Sequence, residues 1–322
     1  MPEADHGVEL VDVVRSGFVE CVHRGSVVAL DPDGGVLVKL GTPDRPCFPR
    51  SANKPLQAVG MVRAGLQLDP PGLALAAASH SGEHAHVSKI RDLLHRNGLP
   101  ESALLCPPAL PLGEEAARGV IAAGGGQARV FMNCSGKHTA MLLTCVANGW
   151  PTDGYVDPAH PLQQAIRAAV EDLTGEPVAA VGIDGCGPPI FAVSLAGVAR
   201  AYARLVTAEP GTPERSVADA MRAHPELVGG KGRDVTRLMA GVPGLLAKDG
   251  AEGVYAGALP SGAAVAVKIV DGARRARVPV MVAALRRLGV DALVLDELAE
   301  EPVLGAGRQV GAVRLRRGVF PD

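Results

Sequence analysis

The chain begins and ends with sequence typical of β-strands, and a long middle region of helical periodicity separates the two. Apolar stretches at 27–30 and 36–40 flank the residues Asp-Pro-Asp-Gly-Gly, which are a strong hairpin signal. Near the C-terminus, 253–259, 263–270 and 309–315 again have strand character. Regular alternation of strands and helices would predict a parallel sheet. This order instead predicts an α+β fold, with an antiparallel sheet flanked by helices.

The middle of the chain contains most of the predicted helices. Apolar residues recur there every three or four positions, and glycine marks several helix ends. No internal repeat, low-complexity segment or linker is visible, so we predict a single domain over 1–322, with 1–8 and 316–322 peripheral. The predicted helices cover 52–65, 84–97, 137–147, 161–173, 191–206, 213–223 and 278–288, and a short strand covers 179–183.

Charge and composition argue against several classes of partner. The 322 residues carry a formal net charge of −2, and no lysine- and arginine-rich run is interleaved with aromatic residues, so we expect no nucleic-acid binding. No apolar run reaches the roughly 18 residues of a membrane helix, and the polar N-terminus lacks the pattern of a signal peptide. Six cysteines in such a chain are better explained as thiols or metal ligands than as disulfides. We therefore expect a cytoplasmic protein that does not contact a membrane.

A serine and a lysine three residues apart begin the first predicted helix. Pro55 is tolerated only in the first turn of a helix, which places Ser51 at or beside the N-cap and Lys54 on the same face. A neutral lysine amine can take the proton that a serine hydroxyl loses when it attacks an amide, and the helix N-terminus favours the developing negative charge. Taken alone, the same pattern also describes an ordinary N-cap serine and a surface lysine.

Two further serine hydroxyls, those of Ser79 and Ser81, precede the second predicted helix. Ser79 or Ser81 can exchange protons with the first serine and lysine, although Ser81 can equally be a helix cap. Lys268 interrupts an apolar strand pattern at 264–270 and is a candidate second lysine of the site. A charge in such a strand is also common at a solvent-facing edge.

Two short motifs each present a cysteine beside polar residues. Cys134 is followed by Lys137 and His138 at the start of a predicted helix, so their side chains can converge. Cys186 lies with Asp184 in a turn rich in glycine and proline. Two thiols with a histidine and a carboxylate form a soft-metal ligand set, with Zn²⁺ the first candidate, and ligand chemistry favours Cys134, Cys186 and His138. Each cysteine taken singly is more commonly a buried structural residue.

The motifs occur in an order that resembles the asparaginase II family of amidohydrolases. That order is R-S-A-N-K-P-x-Q, S-H-S-G-E, N-C-S-G-K-H, D-G-C-G-P-P, G-K-G-R-x-x-T-R-L-M and K-D-G-A-E-G, and the resemblance extends from about Leu10 to Leu315. It implies a fold similar to serine β-lactamases and bacterial glutaminases, in which a helical subregion adjoins an antiparallel sheet. It also implies a homodimer that hydrolyses the small molecule L-asparagine to L-aspartate and ammonia.

The resemblance implies two Ser–Lys pairs. Ser51 with Lys54 forms the first, and Ser51 is expected to attack the substrate and form an aspartyl ester that water then hydrolyses. Ser81 or Ser79 with Lys268 forms the second.

The resemblance also implies a zinc site in which a lysine replaces the histidine that ligand chemistry favours. His138 and Asp184 then support the metal or orient the substrate, and Arg50 holds the substrate carboxylate. The implied ligands are Cys134, Lys137 and Cys186.

Two other functions fit parts of the same sequence. One is a glutaminase or another Ser–Lys hydrolase of the β-lactamase type, although the missing signal peptide argues against cell-wall substrates. The other is a non-catalytic zinc or redox sensor that uses Cys134 and Cys186 without turnover.

Overall fold

The structure is a computed structural model that describes residues 7–320. Of the segments predicted to be peripheral, 1–6 and 321–322 lie outside the described residues, while Val8 already begins the first strand. The prediction of one domain over the whole chain stays a prediction, because the described residues cluster into two compact units. The first unit comprises 7–52, 193–207 and 237–320, and the second comprises 53–192 and 208–236.

The described residues contain eleven strands and twelve α-helices, which are each numbered in chain order. The strands are β1 (Val8–Arg15), β2 (Phe18–Leu30), β3 (Val36–Leu40), β4 (Pro46–Cys47), β5 (Ala180–Ile183), β6 (Pro189–Ser194), β7 (Leu246–Asp249), β8 (Val254–Ala258), β9 (Ala264–Ile269), β10 (Glu300–Gly305) and β11 (Arg308–Leu315). The helices are α1 (Lys54–Arg63), α2 (Pro70–Ala76), α3 (His84–Arg96), α4 (Glu114–Ala122), α5 (Ser135–Asn148), α6 (Pro161–Thr174), α7 (Leu195–Thr207), α8 (Pro213–Ala223), α9 (Pro225–Val228), α10 (Asp234–Gly241), α11 (Arg274–Arg287) and α12 (Leu293–Leu298).

The first unit is built on an antiparallel sheet of eight strands. Its order is β10-β11-β1-β2-β9-β8-β7, and β3 also pairs with β2. The predicted hairpin is confirmed, since Leu30 pairs with Val36 across the turn. The Asp31 carboxylate stabilises this turn by accepting the backbone N–H groups of Asp33 and Gly35 at 2.9 and 2.7 Å. Sheet and flanking helices together confirm the predicted α+β class.

Two helices cover the central strands of this sheet. Helices α7 and α11 pack against β8 and β9. All five residues of β8 are buried, which requires cover on both faces of the sheet. Val198 and Tyr202 from α7 and Met281 and Leu285 from α11 are fully buried, and burial of a large apolar side chain stabilises the fold by about 1.5–3 kcal/mol.

The second unit is a helical bundle centred on α1. Residues Lys54 to Met61 of this helix are all buried, and the helix packs against α5, α6 and α8. Helices α1 and α6 approach closely because Gly60 lacks a side chain: a Cβ there would lie 3.0 Å from Ile166 Cα and 3.1 Å from Ala169 Cβ. The central helix therefore places its first residue, Lys54, inside the unit and away from solvent.

The chain's single tryptophan lies in the second unit. The Trp150 ring meets the His160 ring edge to face, with centroids 6.4 Å apart. His160 is the N-cap of α6, and its ring accepts the backbone N–H of Leu162 at 3.1 Å. This contact joins the end of α5 to the start of α6.

The helix predicted over 191–206 is wrong at its start. β6 continues to Ser194, and α7 begins one residue later because the Ser194 hydroxyl accepts the backbone N–H of Gly197 at 2.8 Å. Short buried strands and buried helices have the same apolar character, so periodicity does not separate them. Elements without a predicted counterpart include α2, α4, β7 and β10. None of the helices within residues 7–320 is long and apolar enough to span a membrane.

Replacing the N-cap of α2 is expected to destabilise the second unit. The Asp69 carboxylate accepts the N–H of Gly72 at 2.9 Å and the ammonium of Lys89 at 2.5 Å. Asp69→Ala should lower the free energy of unfolding by about 1 kcal/mol, whereas Asp69→Asn keeps the cap and should lose less. Urea unfolding monitored by circular dichroism measures both values.

The loss of stability in Asp69→Ala is expected to depend on pH. Partial burial raises the pKa of Asp69, but the hydrogen bonds from Lys89 and Gly72 outweigh it and lower the pKa below its ordinary value of 3.8. A carboxyl with a lowered pKa stabilises the fold above its unfolded pKa and loses that contribution as the pH falls through the folded pKa. The difference between wild type and Asp69→Ala should therefore shrink below pH 3.8. A difference that does not change with pH would contradict this assignment.

Candidate active site

Two cysteines of the second unit approach each other at the start of α5. Cys134 is the N-cap residue of α5, and Cys186 lies in the turn between β5 and β6. The turn is closed by hydrogen bonds from Asp184 N–H to Pro188 O at 2.9 Å and from Gly187 N–H to Asp184 O at 2.8 Å. Cys134 and Cys186 are 4% and 1% exposed, so their thiols face the interior of this unit.

The two thiols together carry one negative charge, because one is ionised and the other keeps its proton. A hydrogen bond from Cys186 holds the pKa of Cys134 well below its ordinary value of 9.0, and Lys54 and Lys137 add to this effect against burial. The same hydrogen bond raises the pKa of Cys186. The anion belongs on Cys134, because the Lys54 ammonium lies 3.0 Å from its sulfur, whereas the Asp184 carboxylate lies 3.3 Å from that of Cys186.

Lys137 completes the group of side chains around the thiols. Its ammonium lies 3.4 Å from the sulfur of Cys186. Burial lowers the pKa of Lys137, but Cys186, Cys134 and Asp184 together raise it above its ordinary value. The cluster therefore contains two ammonium groups opposed by a thiolate and a carboxylate.

The ammonium of Lys54 links the thiolate to a serine. It donates to the sulfur of Cys134, to the hydroxyl of Ser79 at 2.9 Å and to the carbonyl of Ala78 at 2.5 Å. Lys54 is 1% exposed, and its three N–H groups match these three acceptors. The hydroxyl that accepts a hydrogen bond from Lys54 is thus that of Ser79.

The turn that carries Ser79 is fixed to α5 by His80. The His80 ring accepts the N–H of Gly82 at Nδ1, 3.1 Å away, and its Nε2 lies 3.0 Å from the hydroxyl of Ser135. Burial holds the pKa of His80 well below 6.5, so the ring is neutral and Nε2 carries its proton. The Ser81 hydroxyl instead donates to Gly229 O at 2.9 Å.

His138 is held by a tyrosine that the sequence did not single out. The Tyr155 hydroxyl accepts the N–H of Leu105 at 2.9 Å and lies 2.6 Å from Nδ1 of His138. Burial raises the pKa of Tyr155 and lowers that of His138, so Tyr155 donates to Nδ1 and the neutral ring keeps its proton on Nε2. In this tautomer His138 is a hydrogen-bond donor at Nε2.

Three of the predicted site residues belong to the first unit. The chain passes from the first unit to the second between Ala52 and Asn53, so Ser51 and Arg50 lie in the first and Lys54 in the second. Ser51 is half-buried in the 3-10 helix Arg50–Asn53, and the Arg50 guanidinium lies 3.5 Å from the Glu252 carboxylate.

Lys268 makes two hydrogen bonds to backbone carbonyls of the first unit. Its ammonium donates to the carbonyls of Glu252 and Ile269, each at 2.6 Å. The side chain also lines a cavity of about 310 Å³ in this unit, together with Arg45 and Cys47 among others.

A different lysine of the first unit is fully buried beside the segment that carries Ser51. Lys248 of β7 donates to the Asp249 carboxylate at 2.6 Å. The next residue, Gly250, packs directly on that segment, since a Cβ there would lie 2.8 Å from Pro49 O and 3.2 Å from Ala52 N. In the sequence, Lys248 could have been recognised as a candidate by its place in the K-D-G-A-E-G motif, directly after an apolar run.

The charge of Cys134 should depend measurably on Lys54. In chelator-treated protein, the ultraviolet absorbance of the thiolate should persist well below pH 9.0. Lys54→Met removes the nearest cation, so the pKa of Cys134 should rise and the absorbance at neutral pH should fall. Lys89→Met, which removes the cation paired with Asp69 in the same unit, is the control. An unchanged titration in Lys54→Met would rule out this charge assignment.

Comparison with known proteins identifies the family. The family described as L-asparaginase II matches residues 11–315. No curated protein matches the sequence significantly. Among solved structures, the chain is similar to EstCE1, a hydrolase with promiscuous acyltransferase activity, at 12% identity and a TM-score of 0.40, covering 76% of this chain and 88% of that one. It is also similar to a candidate β-lactamase from Bacteroides dorei, at 15% identity and a TM-score of 0.40, covering 82% and 92%.

Both structural likenesses are too distant to carry an argument about function. The family match rests on the sequence and covers nearly the whole chain. The chain therefore belongs to the L-asparaginase II family and is an amidohydrolase.

Proposed function

We propose that this amidohydrolase converts L-asparagine and water to L-aspartate and ammonia by Ser–Lys chemistry beside a zinc ion. The observation that carries the proposal is the buried Lys54 ammonium, which bridges the Ser79 hydroxyl and the Cys134 sulfur. A lysine in contact with both a hydroxyl and one of the two thiols can move protons next to a bound amide.

In the proposed reaction, the Ser51 hydroxyl attacks the side-chain carbonyl of asparagine. The reacting form of Lys54 is the neutral amine, which forms when the resting ammonium loses one proton. This amine takes the Ser51 hydroxyl proton, and the Ser79 hydroxyl relays that proton from Lys54 to the leaving nitrogen. Ammonia departs and an aspartyl ester remains on Ser51. Water then hydrolyses this ester, which releases aspartate and restores the serine.

Polar groups near Lys54 are available to a polar substrate. Asn53 is fully buried, yet neither atom of its amide has a hydrogen-bond partner among the described residues. Leaving such a group unpaired costs about 1–3 kcal/mol. We propose that the substrate or an ordered water satisfies this amide, that Arg50 holds the substrate carboxylate, and that Asp184 and His138 orient the substrate.

The side chains around the thiols fit a zinc ion. Within the described residues no three His, Cys, Asp or Glu side chains form a metal site by themselves, and the third donor beside the two sulfurs is the amine of Lys137. Two thiol sulfurs and an amine nitrogen suit the borderline-soft Zn²⁺ ion. The low pKa of Cys134 favours the thiolate that a metal requires, whereas Cys186 and Lys137, whose pKa values are raised, would each release a proton as the ion binds. Cys134, Lys137 and Cys186 would hold the ion, which would supply a positive centre that polarises a substrate oxygen.

Two serine substitutions test the assignment of roles. Ser51→Ala should lower kcat for ammonia release by at least about 1,000-fold, since it removes the nucleophile. Ser79→Ala should lower kcat by about 100-fold, the usual contribution of one proton-transfer group. Coupled-enzyme detection of ammonia measures both. Mass spectrometry after rapid quenching should find the ester on Ser51. Full activity of Ser51→Ala with an inactive Ser79→Ala would transfer the nucleophilic role to Ser79.

The substrate and assembly are tested on the unmutated protein. A panel of amides separates asparagine from glutamine, although one methylene changes binding by only about 1–3 kcal/mol. A protein that contains zinc but releases ammonia from no amide would favour the alternative of a non-catalytic sensor.

We also propose that the protein is a cytoplasmic homodimer, and light scattering measures its mass in solution.

The zinc site is tested by removing one thiol. Cys134→Ala should abolish stoichiometric zinc in the purified protein, as measured by elemental analysis, because two of three donors hold the metal much less tightly. Cys145→Ala removes another buried thiol from the same helix and should keep the metal. Stoichiometric zinc in Cys134→Ala would refute the ligand assignment.

A further inference from the structure

The G-K-G-R motif has no role in the proposed reaction, although it lies against the Ser79 turn. The Arg233 guanidinium donates to the carbonyl of Ser79 at 2.5 Å and to that of Gly229 at 3.3 Å. The N–H of Ser79 donates to Val228 O at 3.0 Å. Both backbone polar groups of Ser79 are therefore held by residues 228–233.

The contact between the two segments leaves no room for a side chain at Gly230. Its φ is +115°, a value that side-chain-bearing residues rarely adopt, and a Cβ there would lie 1.9 Å from the Ser81 hydroxyl oxygen. The carbonyl of Gly230 is in turn fixed by the Thr236 hydroxyl at 2.7 Å. The N–H of Lys231 donates to the Glu83 carboxylate at 2.8 Å, which connects the same motif to the residue that precedes α3.

The opposite side of the turn is fixed independently. The N–H of His80 donates to Asn133 O at 3.1 Å, and the His80 ring contacts Ser135. The Ser79 turn is thus held between the start of α5, which carries Cys134, and residues 228–236. The position of the Ser79 hydroxyl relative to Lys54 depends on both sides.

We propose that Arg233 is a positioning residue, which holds the Ser79 backbone so that its hydroxyl stays within hydrogen-bond distance of Lys54. The inference rests on the proposed function, since it assumes that the Ser79 hydroxyl moves protons during amide hydrolysis. Arg233 acts through Ser79 and takes no proton itself. Both hydrogen bonds come from one guanidinium nitrogen, Nη1, which lies one bond farther from the backbone than a lysine Nζ, so a lysine is expected to restore the contact only in part.

The test compares Arg233→Ala, Arg233→Lys and Gly230→Ala. A displacement of about 1 Å in a catalytic group can cost about 100-fold, so kcat of Arg233→Ala for ammonia release should fall by about that factor with little change in KM. Arg233→Lys should be intermediate. Millimolar guanidinium ion should restore part of the kcat of Arg233→Ala only. Gly232→Ala is the control, because it also has a positive φ but its Cβ meets nothing within 4 Å.

Crystal structures of the variants give a readout that does not need turnover. In Arg233→Ala, the Ser79 hydroxyl should lie beyond hydrogen-bond distance of the Lys54 ammonium, against 2.9 Å in the unmutated chain. If Arg233→Ala does not fold, Arg233→Lys and Gly230→Ala allow the same comparison. An unmoved Ser79 overturns the inference. Lack of amidase activity in the unmutated protein would instead refute the proposed function, and the structural comparison would still decide the positioning role.

Discussion

The site depends on a buried ammonium group that has three acceptors. A charge taken out of water costs several kcal/mol unless it is paired and hydrogen-bonded, and Lys54 achieves both through a thiolate, a hydroxyl and a carbonyl. The thiolate in turn owes its ionised state to its thiol neighbour and to the two lysines. Two positive and two negative groups therefore balance within one cluster, in which Asp184 is half-buried and the other three groups are buried. Removal of any member leaves the others uncompensated, which ties the site's charge state to its geometry.

Much of the fold could be predicted from the sequence because periodicity and turn chemistry are local. The hairpin around Asp31 and most long helices follow from such patterns. The boundary at Ser194 could not be predicted, because a buried strand runs directly into a buried helix without a change in apolar character. The clustering into two units was likewise not visible, since it depends on contacts between residues far apart in sequence.

For the candidate site, the sequence indicates which residues could carry chemistry but not which side chains they contact in the fold. The motifs singled out Cys134, Lys137 and Cys186, and the side chains of these three residues converge in the second unit. The pairing of Lys54 with Ser51, which spacing favours, stays a prediction. The contact of Lys54 with the hydroxyl of Ser79, 25 residues later in the chain, could not be derived from spacing. Which side chains meet is set by the packing of α1, α2 and α5, and no local pattern encodes it.

The edge-to-face contact of Trp150 with His160 has a consequence for folding studies. Because the chain has no other tryptophan, fluorescence excited selectively at the indole reports only on the second unit. The sheet of the first unit is silent in that signal, although it dominates the strand content seen in the far ultraviolet. A refolding experiment that records both signals can therefore follow the helical bundle and the sheet as separate kinetic events in the unmodified protein.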